Sequence, residues 1–301
     1  MKMDYFIPED KKIRVIINTD AKNEVDDQFA IVHAVLSSSF NLHGIIPAHF
    51  GDRKSKTSLQ DSHDETMLLL ELMGLQKEFR IEDGATNAMP DEVTPVDSPG
   101  ARLIIEEAMK DDNRPLHVAF YGPLTDMASA LLIEPKIADK DIKVIWIGGG
   151  EWPSGGQEYN LSNDIHSANV VFKSNLEVWQ IPRNVYRMMP VGYAELIERV
   201  YPHGEIGKYL AEEVIYFNNQ SISRPAEYRI LGDSPAVGVM IYSDCGKWTW
   251  KPAPVFDQNM NYFHSGKFRP IKVYETINSR FILEDFFAKL SHFSRANCSY
   301  E

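Results

Sequence analysis

A run of β-branched residues, Ile13-Arg14-Val15-Ile16-Ile17-Asn18-Thr19, is followed by an acidic loop and then by Phe29, Ile31, Val32 and Val35, apolar residues at helical spacing between Asp27 and Leu36. That order describes a buried strand feeding a helix that packs back on it. The pattern repeats. Leu42 to Ala48 reads as a second strand and Leu59 to Met73 as a helix closed by Gly74. A helix over Gly100 to Met109, a strand over Leu116 to Tyr121 and a helix over Leu124 to Leu132 come next, with Pro123 where a helix start tolerates it. A strand over Ile142 to Ile147 stops at Gly148-Gly149-Gly150, and a helix over His166 to Ser174 precedes a strand over Leu176 to Ile181. This alternation predicts an α/β fold, an open and mostly parallel sheet with helices on both faces. Beyond Val185 the chain reads as mainly helical to Tyr242, then Trp- and Pro-rich from Lys247 to Pro254, with a last strand over Ile271 to Thr276 and a helix near Leu283 to Leu290. No repeat or linker interrupts it, so residues 1–301 are expected to form one domain.

Composition narrows the function. Lys and Arg number 31 against 43 Asp and Glu, a net charge of −12, and no basic block occurs. Attraction to phosphate backbones needs clustered cations, so nucleic acid is not an expected partner. The two cysteines, Cys245 and Cys298, form neither a disulfide framework nor a zinc-ligand spacing. The acidic N-terminus lacks the apolar run of a secretory signal, and no stretch is long enough to span a bilayer. A cytoplasmic protein without membrane partners is expected.

Open sheets of this class bind ligands outside the carboxyl ends of their strands. The loops starting at Asp20, Pro47, Tyr121 and Gly148 should therefore converge. The first of them, Asp20-Ala21-Lys22-Asn23-Glu24-Val25-Asp26-Asp27, crowds four carboxylates into eight positions. Two readings are open. Crowded carboxylates repel one another unless a cation is shared, and an all-oxygen donor set suits Ca²⁺ or Mg²⁺. Alternatively Asp26 caps the following helix while Glu24 and Asp27 are solvated.

The same residues resemble the N-terminal signature of the inosine-uridine-preferring nucleoside hydrolases, a strand ending in Asp followed by Asp-Asp at a helix start. Further likenesses fall in order: Gly44-Ile45-Ile46, Tyr121-Gly122-Pro123-Leu124-Thr125-Asp126, Gly148-Gly149-Gly150, Glu158-Tyr159-Asn160 and Asp233-Ser234-Pro235-Ala236-Val237. The resemblance implies a calcium-dependent hydrolase that cleaves the N-glycosidic bond of a ribonucleoside or related ribosyl compound. It implies that Asp20, Asp27, Asp233 and the Tyr121 carbonyl hold Ca²⁺, that Asp20 activates the water, and that Asp26, Glu158 and Asn160 bind the sugar. It also implies a homo-oligomer. A metal-dependent ribose-binding protein without turnover is the alternative.

The chain departs from the family pattern in several places, and two of them bear most directly on the chemistry. Five residues, Ala21 to Val25, separate Asp20 from the Asp pair, where the family motif D-x-x-x-D-D has a shorter loop with a Pro-Gly turn. Gly232 stands where the family often carries a His, the leaving-group acid of its purine-cleaving members. His49, at a strand end, is the candidate to replace that imidazole, with a backbone-bonded loop histidine as the alternative. Trp152 and Tyr228 are candidates to face the base.

Overall fold

The computed structural model describes residues 5–298. Its strands are β1 (Ile13–Thr19), β2 (Phe40–Pro47), β3 (Leu116–Phe120), β4 (Ile142–Ile147), β5 (Glu177–Ile181), β6 (Pro190–Gly192), β7 (Tyr228–Ile230), β8 (Trp248–Pro252), β9 (Val255–Phe256), β10 (Tyr262–Phe263) and β11 (Pro270–Tyr274). Seven of them form one sheet in the order β2-β1-β3-β4-β5-β11-β8, parallel throughout except for the antiparallel edge strand β8. The fold is α/β, as the alternation predicts.

Side chains alternate between the two faces of each strand. In β1, Val15 and Ile17 join one apolar core and Ile16 the other, all fully buried. Helices cover both faces. The helices α1 (Asp27–Val35), α2 (Ser58–Leu72), α9 (Gly204–Asn219), α10 (Ser234–Ile241) and α11 (Ser279–Cys298) pack on the first core. The helices α3 (Pro99–Ala108), α4 (Thr125–Ile133) and α6 (Ile165–Lys173) pack on the second. The short α5 (Tyr159–Asn163), α7 (Arg183–Tyr186) and α8 (Tyr193–Arg199) fill the connections.

The sheet order reverses at β1, which has β2 on one side and β3 on the other. A crevice opens at such a switch point, beyond the carboxyl ends of the strands. Tyr121 just after β3 donates its N–H to the Asn18 carbonyl near the end of β1, so the two loops leave the sheet side by side.

Two segments differ from the sequence expectation. Pro190–Gly192 and Tyr228–Ile230 form a small antiparallel ladder inside the stretch that reads as helical, and the Trp- and Pro-rich run is the edge strand β8. Among the described residues no helix is long and apolar enough to cross a membrane.

Candidate active site

The acidic loop turns sharply as it leaves β1. Asn23 donates its N–H to the Asp20 carbonyl at 3.0 Å, and Asp20 is buried at the sheet's carboxyl edge. Gly122 permits this: a Cβ there would stand 2.9 Å from Asp20 Cγ. Asp27 opens α1 and accepts a 2.5 Å hydrogen bond from the Thr19 hydroxyl. Asp26 precedes it, yet its side chain caps nothing on α1; one of its oxygens accepts from the Gly232 N–H at 3.0 Å. The capping alternative is thereby removed. Asp233, just before α10, likewise makes no capping hydrogen bond. Carboxylate oxygens of Asp26, Asp27 and Asp233 lie within 4.8 Å of one another.

These residues share one cavity with Asp20, Tyr121, Glu158, Asn160, Tyr159 and Tyr186. Glu158 is fixed by four donors: the N–H groups of Gly149, Asn160 and Leu161, at 2.8 to 3.2 Å, and the Tyr186 hydroxyl at 3.0 Å. Asn160 donates from Nδ2 to the Tyr121 carbonyl and, at 2.9 Å, to the Ile147 carbonyl. Both side chains are thus fixed by the protein's own hydrogen bonds.

Charge in the cavity is unbalanced. Burial raises the pKa of Asp20 and Asp233 well above the carboxylate range, with neighbouring aspartates adding to the rise. Burial likewise pushes Asp26 up to about 7, with Glu24 and Asp27 contributing, and Asp27 up to about 6 despite the Thr19 hydrogen bond. Among the described residues no Lys or Arg forms an ion pair with any of these four aspartates. The nearby cations are engaged at the rim, where Arg229 pairs with Glu24 and Lys54 hydrogen-bonds Asn23.

Three sequence candidates do not reach the cavity. His49 is buried, with Nε2 3.0 Å from the Thr125 hydroxyl and Nδ1 accepting from the Gly51 N–H. Burial lowers its pKa to about 4, so the ring is uncharged at neutral pH and its Nε2 faces Thr125 rather than the cavity. Trp152 donates from Nε1 to Gln180 on β5 and packs edge-on against Tyr262, outside the cavity lining. Tyr228 lies half-exposed on β7, its carbonyl bonded by Asn218. Sequence reasoning missed Tyr186, which lines the cavity and follows from the rule that strand carboxyl ends feed the site, since it comes from the segment after β5.

The chain matches the family of inosine-uridine preferring nucleoside hydrolases over residues 15–273. It belongs to that family. Uridine nucleosidase 1 of Arabidopsis thaliana is 21% identical over 257 residues, 77% of this chain and 74% of that protein. A plant nucleoside hydrolase superposes with a TM-score of 0.76 at 17% identity, covering 93% of this chain and 99% of that one. A purine-preferring ribonucleoside hydrolase from Gardnerella vaginalis gives a TM-score of 0.76 at 20% identity, covering 94% and 99%. As a member of the nucleoside hydrolases this protein is a ribosyl hydrolase, and its reaction is hydrolysis of the N-glycosidic bond of a ribonucleoside.

Nucleoside hydrolases are metal-dependent, and the donors present fit a metal. The converging side chains are carboxylates without His or Cys, the set a hard cation prefers. Asp27 and Asp233 are buried and Asp26 half-buried beside them, with no ion-paired Lys or Arg among the described residues, an arrangement that a bound divalent ion neutralises.

Proposed function

We propose that this nucleoside hydrolase works with Ca²⁺ and with Asp20 as the base that takes the proton from the attacking water. The observation that carries the reading is the meeting of Asp20, Asp26, Asp27 and Asp233, distant in the chain, in one cavity with Glu158, Asn160 and the Tyr121 residue. The residues that would hold the ion are Asp20, Asp27, Asp233 and the Tyr121 carbonyl; when bound it supplies charge that orients the ribose diol and makes water a stronger acid. Asp26, Glu158 and Asn160 would bind the sugar hydroxyls.

Cleavage of the glycosidic bond builds positive charge on the ribose ring. Fixed carboxylates stabilise that charge without having to reorganise, because Glu158 is already locked by its four donors. Asp20, buried at the carboxyl end of β1 in the same cavity as Asp26 and Asp27, is placed to take the proton. Uridine is the first substrate to assay, on the likeness to the Arabidopsis uridine nucleosidases.

Release of reducing sugar from uridine and inosine tests the reading. Asp20→Asn is expected to lower kcat by roughly 10²- to 10⁴-fold, the span of a lost general base. Exhaustive chelation should abolish turnover and Ca²⁺ should restore it. Turnover that survives either treatment removes the corresponding half of the proposal.

A further inference from the structure

Departure of a nucleobase leaves negative charge on the aglycone, and none of the candidates already placed meets it. His49 is sealed away, and Gly232 has no side chain. The Tyr186 hydroxyl donates to Glu158 and the Tyr159 hydroxyl to the Phe50 carbonyl. Arg229 is committed to Glu24. Tyr121 is buried on the carboxylate side, its hydroxyl near Asp233 and Asp27.

Lys54 remains. Its ammonium donates to Asn23 Oδ1 at 2.5 Å and to the Asn23 carbonyl at 3.2 Å, stands 3.8 Å from Glu24 Oε1, and lies 4.4 Å above the Tyr159 ring. Asn23, Glu24 and Tyr159 all line the cavity. Of the three ammonium N–H bonds, two go to Asn23 and one is left to donate. Asn23 and Glu24 belong to the lengthened loop between Asp20 and the Asp pair, so the added residues are what hold the cation against side chains that line the cavity.

We propose that Lys54 is the leaving-group residue of this enzyme, a catalytic residue that donates to the departing base, positioned by the lengthened loop through Asn23 and Glu24. The proposal rests on the reading of the cavity as a ribosyl-hydrolase site. In the step, the bond between the ribose C1′ and the aglycone nitrogen breaks and its electron pair goes to the aglycone. A Lys54 proton passes to the aglycone, water oxygen bonds to C1′, and the water's proton goes to Asp20. Return of that proton to Lys54 through solvent closes the cycle. Burial lowers the ammonium's pKa against the opposing pull of Glu24, which makes it a better acid.

The test compares uridine and inosine with 4-nitrophenyl β-D-ribofuranoside, whose leaving group is stable without a proton. Wild type, Lys54→Gln and Lys54→Arg are assayed after circular dichroism shows each to be folded. Gln keeps a donor toward Asn23, and Arg keeps the charge. Lys54→Gln is expected to lower kcat on the nucleosides by about 10²-fold or more, with a loss on the nitrophenyl riboside at least tenfold smaller, and Lys54→Arg to recover part of it. Equal losses on all substrates, or no loss on any, overturn the assignment. Wild type that cleaves the nitrophenyl riboside but neither nucleoside also overturns it. A wild type inactive on all three overturns the hydrolase reading beneath it, and the assignment with it.

Discussion

Gly122 carries a steric requirement that no polar residue of the site states so directly. A Cβ at that position would meet Asp20 Cγ at 2.9 Å and Asp20 Cβ at 3.1 Å, and Asp20 is buried at the end of β1 where its backbone is fixed by the sheet. The added methyl therefore has to displace the carboxylate. Gly122→Ala is expected to cost about 1–3 kcal/mol of stability, as overpacking does, and to lower kcat by more than that loss of folded protein explains. Kinetics on protein verified as folded, beside thermal unfolding, separates the two; kcat unchanged in a destabilised variant would remove Asp20 from the reacting centre. Gly232 obeys the same logic. A Cβ there would stand 3.0 Å from Asp26 Oδ2 and 3.1 Å from Tyr186 Cδ2, so the ring of Tyr186 occupies room that a side chain at 232 would need.

At the scale of elements, the loops after β1, β3, β4 and β5 and the starts of α1 and α10 make the cavity, and a buried carboxylate outside it helps to tie them in place. Asp126, inside the Gly-Pro-Leu-Thr-Asp turn, accepts from Asn18 Nδ2 at 2.8 Å, the Ser98 hydroxyl at 2.6 Å and the Ala85 N–H at 2.9 Å. It joins β1, the start of α3 and the start of α4. Asp126→Ala leaves those buried donors unpaired and is expected to destabilise by about 3 kcal/mol or more, read as a lowered urea midpoint. An unchanged midpoint would show the network to be ornamental. The strands β1 to β5 and the helices α1 to α4 and α6 between them were legible in the sequence because strands buried on both faces run as short, mainly apolar segments between helical periods. The edge strand β8 was not, since Trp250 is half-exposed and the run carries Pro252, features shared with loops. The β6–β7 ladder was not either, because Val191 pairs with Arg229 across a long insertion with no local turn to announce it. Within the site, Asp20, Asp26, Asp27, Asp233, Glu158 and Asn160 were legible from crowding and order along the chain. His49, Trp152 and Tyr228 were misplaced because a sequence shows that a residue lies near a strand end or beside a motif, not which way its side chain turns.

Across the whole molecule, the cavity couples folding to pH and to metal. Burial and mutual repulsion push Asp26 up to about 7 and Asp27 up to about 6, from an ordinary value of 3.8 that both regain in the unfolded chain. Without metal, the folded protein thus binds more protons than the unfolded chain between about pH 4 and 7, and stability falls as pH rises through that window. Acid denaturation of paired carboxylates has the opposite sign, so the trend is diagnostic. A divalent ion reverses it by binding the ionised carboxylates of the folded state alone. At a free Ca²⁺ concentration of 100 times Kd the gain is about 2.7 kcal/mol, which raises Tm by on the order of 5 °C for a chain of this size. Thermal unfolding at pH 5.5 and pH 8, with EDTA and with Ca²⁺, gives the comparison. The chelated protein should melt lower at pH 8 than at pH 5.5, and Ca²⁺ should raise Tm more at pH 8. A calcium shift equal at both values would mean that the ion does not compete with protons for these aspartates, and would place the metal elsewhere on the protein.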